Sequence, residues 1–151
     1  MDLGCAPGGW SQIAAGKLKG TGKLVGLDIL PTEPLDGATF ICQDFTADGA
    51  TDKLLELLGG TKADVVMSDM AANTTGHQQT DHLRTIGLVE AAYEFAKTIL
   101  APNGVFIAKV FQGGAEPEAG QAAQDFSEER HDRMALYQRA LHIGRVRSRQ
   151  L

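Results

Sequence analysis

The chain has 151 residues, 43% of them apolar, with 14 Lys and Arg against 19 Asp and Glu and a formal net charge of -5. That length supports one domain with its own core and nothing marks a second, while the acidic balance argues against a protein that grips nucleic acid over its whole surface, where phosphate contacts dominate affinity. No apolar run approaches the roughly 20 residues that span a bilayer, no basic-then-apolar leader opens the chain, and Cys5 and Cys42 are too few and too far apart for a disulfide framework or a zinc site, so the expectation is a cytoplasmic protein with two reduced packing cysteines.

Met1 to Leu3 reads as the end of a strand, and a chain opening on a strand's last residues is expected to lack that strand's start. Gly4-Cys5-Ala6-Pro7-Gly8-Gly9-Trp10-Ser11-Gln12 then forms a glycine-rich turn running into a helix. Glycines permit backbone angles closed to other residues and remove Cβ atoms where a ligand must lie against main chain. A helix opening at Trp10 or Ser11 points free N–H groups at that ligand. The spacing G-x-x-x-G-G is neither the G-x-G-x-x-G of dinucleotide binders nor a P-loop with its Gly-Lys-Ser/Thr. A ligand with a cationic sulfonium and a carboxylate but no phosphate needs close approach without a basic residue, and S-adenosylmethionine is such a ligand. An ordinary tight turn is the competing reading.

A helix over 10–19 carries Trp10, Ile13, Ala14 and Leu18 on one face and ends at Gly20-Thr21-Gly22. A strand over 23–28 closes on Asp28 ahead of Pro31 and Pro34, a third strand over 39–44 closes on Asp44, and a leucine-rich helix follows over 51–58. A fourth strand over 63–69 ends on Asp69, its apolar run being that of a strand buried on both sheet faces. From about 80 to 100, Leu83, Ile86, Val89, Tyr93, Ala96 and Leu100 recur at helical spacing until Pro102-Asn103-Gly104 stops them, and a fifth strand over 104–110 carries Lys109.

Strands alternating with helices in this way predict an open, mostly parallel α/β sheet with right-handed crossovers and helices on both faces. Ligands of such sheets sit at the carboxyl ends of the strands, where the strand order reverses. Those ends carry the glycine turn, Asp28, Asp44, Asp69 and Lys109. A single acid there is commonly a turn former; four strand ends with ligand groups beside a glycine turn make a site. Asp28 is placed to accept from ribose hydroxyls, Asp44 from an adenine amino group, and Trp10 offers an indole to the ligand or packs against its neighbours.

The runs Asp2-Leu3-Gly4-Cys5-Ala6-Pro7-Gly8-Gly9-Trp10-Ser11-Gln12, Ser68-Asp69-Met70-Ala71-Ala72-Asn73-Thr74-Thr75-Gly76 and Ala108-Lys109-Val110-Phe111-Gln112-Gly113 resemble, in order and over about residues 1–115, the FtsJ-like 2'-O-ribose methyltransferases. The resemblance implies a Rossmann-like class I methyltransferase fold, S-adenosylmethionine as cofactor, and methylation of a ribose, at a uridine, in the 23S RNA of the large ribosomal subunit. It places Gly8, Trp10, Asp28, Asp44 and Asp69 at the cofactor and gives Asp69 and Lys109 two places in the family's Lys-Asp-Lys-Glu catalytic set. Ala72 stands where the family usually has Pro. The family's first catalytic Lys lies upstream of the first strand and its Glu in a Ser-Glu-x-Tyr-like segment on later strands, and neither has a counterpart here. The expectation is therefore an incomplete methyltransferase domain over 1–115, followed by a divergent tail over 116–151. That tail is polar and Arg-rich, without a strand pattern, and its Ser127-Glu128-Glu129-Arg130 comes too early and lacks the Tyr.

Methyl transfer from a sulfonium to a ribose hydroxyl needs alignment and removal of the hydroxyl proton. The resemblance gives Lys109 a part in that removal, with Asp69 orienting it; the plain alternative is a solvated ion pair at two strand ends. Three other classes stay open. A cofactor-binding fragment impaired in catalysis is favoured by the two missing residues, a small-molecule methyltransferase by the acidic body, and a nicotinamide-dependent enzyme is disfavoured by the glycine spacing. A monomer without membrane contact is expected.

Overall fold

The computed structural model describes residues 1–111 and 134–139. Strand β1 (Asp2–Leu3) leads through the glycine turn into α1 (Gly9–Leu18) and β2 (Leu24–Asp28), and β3 (Ala38–Cys42) follows without an intervening helix. Helix α2 (Ala50–Leu58), β4 (Ala63–Ser68), α3 (Gln78–Ile99) and β5 (Leu100–Phe111) continue the alternation, and β6 (Met134–Arg139) completes one sheet of order β3-β2-β1-β4-β5-β6. All its pairings are parallel. The chain steps outward from β1 to β3 and then crosses to β4, so the order reverses between β1 and β4, as the α/β alternation requires.

Successive strand residues point to opposite sheet faces. Leu3, Leu27, Val66 and Phe106, each at most 2% exposed, form one core with Leu54 of α2 and Val89, Ala92, Ala96 and Ile99 of α3. Phe45 and Phe95, with ring centroids 5.7 Å apart, and Tyr93 and Phe106, 5.5 Å apart, add aromatic contacts that tie α3 to the sheet. The buried stripe of α3 runs Thr85, Val89, Ala92, Ala96, Ile99, a 3.6-residue period. Leu83, expected on that stripe, is 68% exposed; two residues before Thr85 it lies about 200° round the helix.

Asp2 points to the other face, where Ser11 of α1 donates its hydroxyl to Asp2 Oδ2 at 2.6 Å, both residues fully buried. Beyond that contact α1 stands off the sheet. A groove of about 830 Å³, lined by Trp10, Ile13, Leu18, Val65, Met67 and Ile107 among others, runs between them. The fourth strand is thus buried on one face and open on the other, with Val65 39% exposed, rather than buried on both as its apolar run implies.

Two further differences have physical causes. Strand β5 begins at Leu100, directly after α3, because Leu100 pairs with Ala63; the Pro102-Asn103-Gly104 stretch is then a bulge inside the strand, with Asn103 at φ 66 and a register shift between Ala63 and Val65. Strand β6 falls inside the tail expected to have no strand. It pairs with β5 from Phe106↔Met134 to Phe111↔Arg139, because the free edge of a parallel sheet offers a row of backbone donors and acceptors that needs no strong side-chain pattern. Of the two cysteines, Cys5 is buried in the packing role expected of it, whereas Cys42 at the end of β3 is exposed.

Candidate active site

A cleft of about 600 Å³ opens at the carboxyl ends of the strands, where β1 and β4 diverge. Gly4, the first residue after β1, sits at φ +79, and a Cβ there would lie 2.7 Å from Met70 N and 2.9 Å from the Asp69 carbonyl carbon. Only glycine lets the two strand ends meet in this way. Gly4 N–H donates to Leu27 O at 2.8 Å and Asp69 N–H to Leu3 O at 2.9 Å, so the backbones of β2, β1 and β4 hold the cleft floor together. Gly8 caps α1 at φ 119 and no side chain accepts from the helix's first turn, which leaves those N–H groups without a side-chain partner.

Asp28 closes the glycine turn, its Oδ2 accepting from Ala6 N–H at 2.8 Å and its Oδ1 from Leu30 N–H at 2.9 Å. Asp44 uses one oxygen only: Thr46 N–H at 2.8 Å and the Thr46 hydroxyl at 2.7 Å both reach Oδ1. The Thr46 hydroxyl, and after it the Thr46 N–H, hold this carboxyl below the usual carboxylate range, so it is a charged acceptor with Oδ2 to spare. Phe45 and Met70, each directly after one of the acids, supply apolar wall.

The Ser68↔Ala108 register sets the next residues of the two chains side by side, and Lys109 Nζ forms an ion pair with Asp69 Oδ1. The two side chains are 19% and 25% exposed. Past Asp69, the segment 71–77 is strapped to α3. Ala72 N–H donates to Thr85 Oγ1 at 3.2 Å, a bond that the proline usual at this position has no N–H to make. Thr75 donates its N–H and hydroxyl, and Gly76 its N–H, to the Asp81 carboxylate.

Asp28, Asp44 and Asp69 therefore line one cleft with Gly4, and Asp69 joins Lys109 to it. Gly8 lies at the helix cap and does not line the cleft. Trp10 lines the groove beneath α1 instead, the surroundings of a packing residue. Met70, Asn73, Arg84, Gly87 and Leu88 line the cleft without having been singled out from the sequence as ligand residues. Position directly after Asp69 could have found Met70; for Arg84, Gly87 and Leu88 no local signal exists, since only the packing of α3 brings them there. Burial pushes the Cys5 thiol up to about 11, which suits a packing residue next to the turn rather than a nucleophile. The Ser127 to Arg130 stretch lies outside the described residues.

The FtsJ-like methyltransferase family model matches residues 1–134, through the glycine turn, the Asp69 strand end and Lys109. The chain belongs to the FtsJ-like methyltransferase family. The match runs past residue 115 to the start of β6. Among relatives carrying the name ribosomal RNA large subunit methyltransferase E, the protein of Xanthobacter autotrophicus is 54% identical over 135 residues, covering 87% of this chain and 53% of that protein. The protein of the same name from Paramagnetospirillum magneticum is 56% identical over 137 residues, covering 87% of this chain and 56% of its own length. The chain thus spans about half the length of the curated relatives it matches. A crystal structure described as a ribosomal RNA methyltransferase from Plasmodium falciparum superposes with a TM-score of 0.72 at 25% identity, covering 85% of this chain and 72% of that one. Among the described residues of this FtsJ-like chain, no group of three or more His, Cys, Asp or Glu is placed to hold a metal ion, and no helix is long and apolar enough to cross a membrane.

Proposed function

We propose that the chain carries the S-adenosylmethionine site and the Asp69–Lys109 pair of an enzyme that methylates a ribose 2'-hydroxyl, at a uridine, in 23S RNA of the large ribosomal subunit, in the cytoplasm. The observation that carries this reading is the convergence of Gly4, Asp28, Asp44 and Asp69 on one cleft, with Lys109 ion-paired at its edge. The cleft fits the cofactor on its own terms. Gly4 leaves main chain bare where a side chain would collide with Met70, Phe45 and Met70 offer apolar surface to a base, and Asp44 Oδ2 is an acceptor for an exocyclic amine. Each Asp28 oxygen has one backbone donor and keeps a second lone pair for a ribose hydroxyl. Three carboxylates suit a ligand bearing sulfonium and ammonium charge and repel a diphosphate.

Bound there, S-adenosylmethionine supplies an electrophilic methyl group. Asp69 holds Lys109 Nζ at the junction of β4 and β5 and orients the ribose hydroxyl. Lys109 Nζ stands where the hydroxyl proton must go as the oxygen forms its new bond, and general-base help of this kind is worth roughly 10² to 10⁴ in rate. The names carried by the relatives support ribosomal RNA as the substrate.

Tritium transfer to large subunits lacking the modification tests the reading, alongside calorimetry with S-adenosylhomocysteine. The expected result is cofactor binding that survives Lys109→Ala and transfer that does not. Equal transfer by the variant would remove Lys109 from the chemistry. Cofactor binding without transfer in the parent chain would instead identify a binding unit impaired in turnover.

A further inference from the structure

We infer that Arg84 is the cleft's contact for an RNA phosphate next to the target ribose, a role that rests on the ribose-methylation reading above. The cleft is lined by three carboxylates, Asp28, Asp44 and Asp69, and Arg84 is the cationic side chain among its lining residues. The nearby Lys109 is engaged by Asp69. Arg84 makes no hydrogen bond or ion pair among the described residues and is exposed; its charge is felt by Asp81, one turn earlier on α3. The Asp81 carboxylate is already occupied by Thr75 and Gly76, and Thr85, the residue after Arg84, receives Ala72 N–H. Arg84 therefore projects from the point where the segment 71–77 is strapped to α3, on a stretch fixed on both sides, with its guanidinium uncommitted.

A ribose in an RNA strand carries a phosphate on each side, so a 2'-hydroxyl brought to Asp69 and Lys109 draws at least one phosphate to the rim of an acidic cleft. A cation is needed there, and a guanidinium fork matches phosphate geometry better than an ammonium does. The cofactor's carboxylate is the other anion that enters the cleft. It has donors of its own past the glycine turn, in the first-turn N–H groups of α1, which have no side-chain acceptor. The segment Asn73 to Thr80 beside Arg84 is exposed and polar and carries no acid, and the Asp81 carboxylate that follows it is taken up by the Thr75 and Gly76 donors.

The test uses the full 151-residue chain and a fluorescein-labelled single-stranded uridine dodecamer, titrated by anisotropy over a series of NaCl concentrations, with S-adenosylhomocysteine affinity measured in parallel. Arg84→Gln should weaken oligonucleotide binding roughly threefold to tenfold at low salt and flatten the slope of log K against log salt by about 0.7, the value for one contact on a single strand. Cofactor affinity should change less than twofold, and Arg84→Lys should restore the slope. An unchanged slope in Arg84→Gln, with the parent chain binding RNA, would overturn the assignment alone. Loss of cofactor affinity with the slope intact would move Arg84 to the cofactor carboxylate and overturn it too. A parent chain that holds S-adenosylhomocysteine but shows no RNA affinity at any salt would overturn the RNA reading, and Arg84's role with it. Arg84 is exposed, so equal melting temperatures of parent and variants confirm that folding is not what is being read.

Discussion

Asp28 and Asp44 look alike in the sequence, each an acid at the end of a short strand, yet they do different work. Asp28 holds the glycine turn through Ala6 and Leu30, whereas Asp44 is tied only to its neighbour Thr46. Either change to Ala should weaken S-adenosylhomocysteine binding by about ten- to hundredfold, the worth of a charged hydrogen bond. Only Asp28→Ala should also lower the melting temperature, because it alone leaves backbone donors of the turn unpaired. Calorimetry and thermal melting on both variants separate the two roles, and equal melting temperatures would refute the distinction. Asp2 makes a third case. Burial raises its carboxyl pKa above the ordinary 3.8, against the opposing hydrogen bond from Ser11. An acid that holds its proton more tightly when folded loses stability as pH rises from the unfolded value through the folded one. Asn keeps an acceptor for Ser11 and does not titrate, so Asp2→Asn should gain stability relative to the parent chain between pH 4 and 8. Urea unfolding at the two pH values checks this; a difference that did not change with pH would show that Asp2 ionises without cost.

Strand β4 shows how one element serves two environments. Val66 is fully buried in the core shared with α3, and Val65, its neighbour, is 39% exposed on the groove beneath α1. Val66→Ala should cost about 2 kcal/mol or more, since it removes buried methyl groups and leaves a cavity. Val65→Ala should cost roughly 0.5 kcal/mol or less, as surface changes do. Denaturant midpoints decide it, and equal costs would mean that the groove is closed in solution. The alternation from the first helix to β5 was legible because each element has its own period and its own stop. The open face of β4 was not, because an apolar run reads the same whether or not a helix covers it.

At the scale of the molecule, the cleft couples ligand binding to the joint of β1, β2 and β4, the middle of the sheet. S-adenosylhomocysteine at a hundred times its dissociation constant should therefore stabilise the whole chain by about 2.7 kcal/mol, a rise of roughly 5 to 11 °C in melting temperature for a domain of this size. A nicotinamide dinucleotide at the same concentration should give no shift, since the three carboxylates disfavour a diphosphate. A shift with the dinucleotide and none with S-adenosylhomocysteine would reverse the cofactor assignment.

By itself the sequence determined the α/β alternation, the parallel sheet, the glycine turn and the strand-end acids, because turn chemistry and hydrophobic period are local and are written in neighbouring residues. It also put Asp69 and Lys109 at strand ends, whereas the pairing of β4 with β5 in the sheet set the two side by side. Only the tertiary structure decided what α1 faces, and it put Trp10 on the groove beneath that helix rather than in the cleft. It alone brought Arg84 and Leu88 from the middle of a helix to the cleft wall, set β6 on the free edge of β5, and showed that Gly4 must be glycine because Met70, far off in sequence, lies where its side chain would go. These outcomes depend on contacts between distant segments, and such contacts have no period for a local pattern to carry.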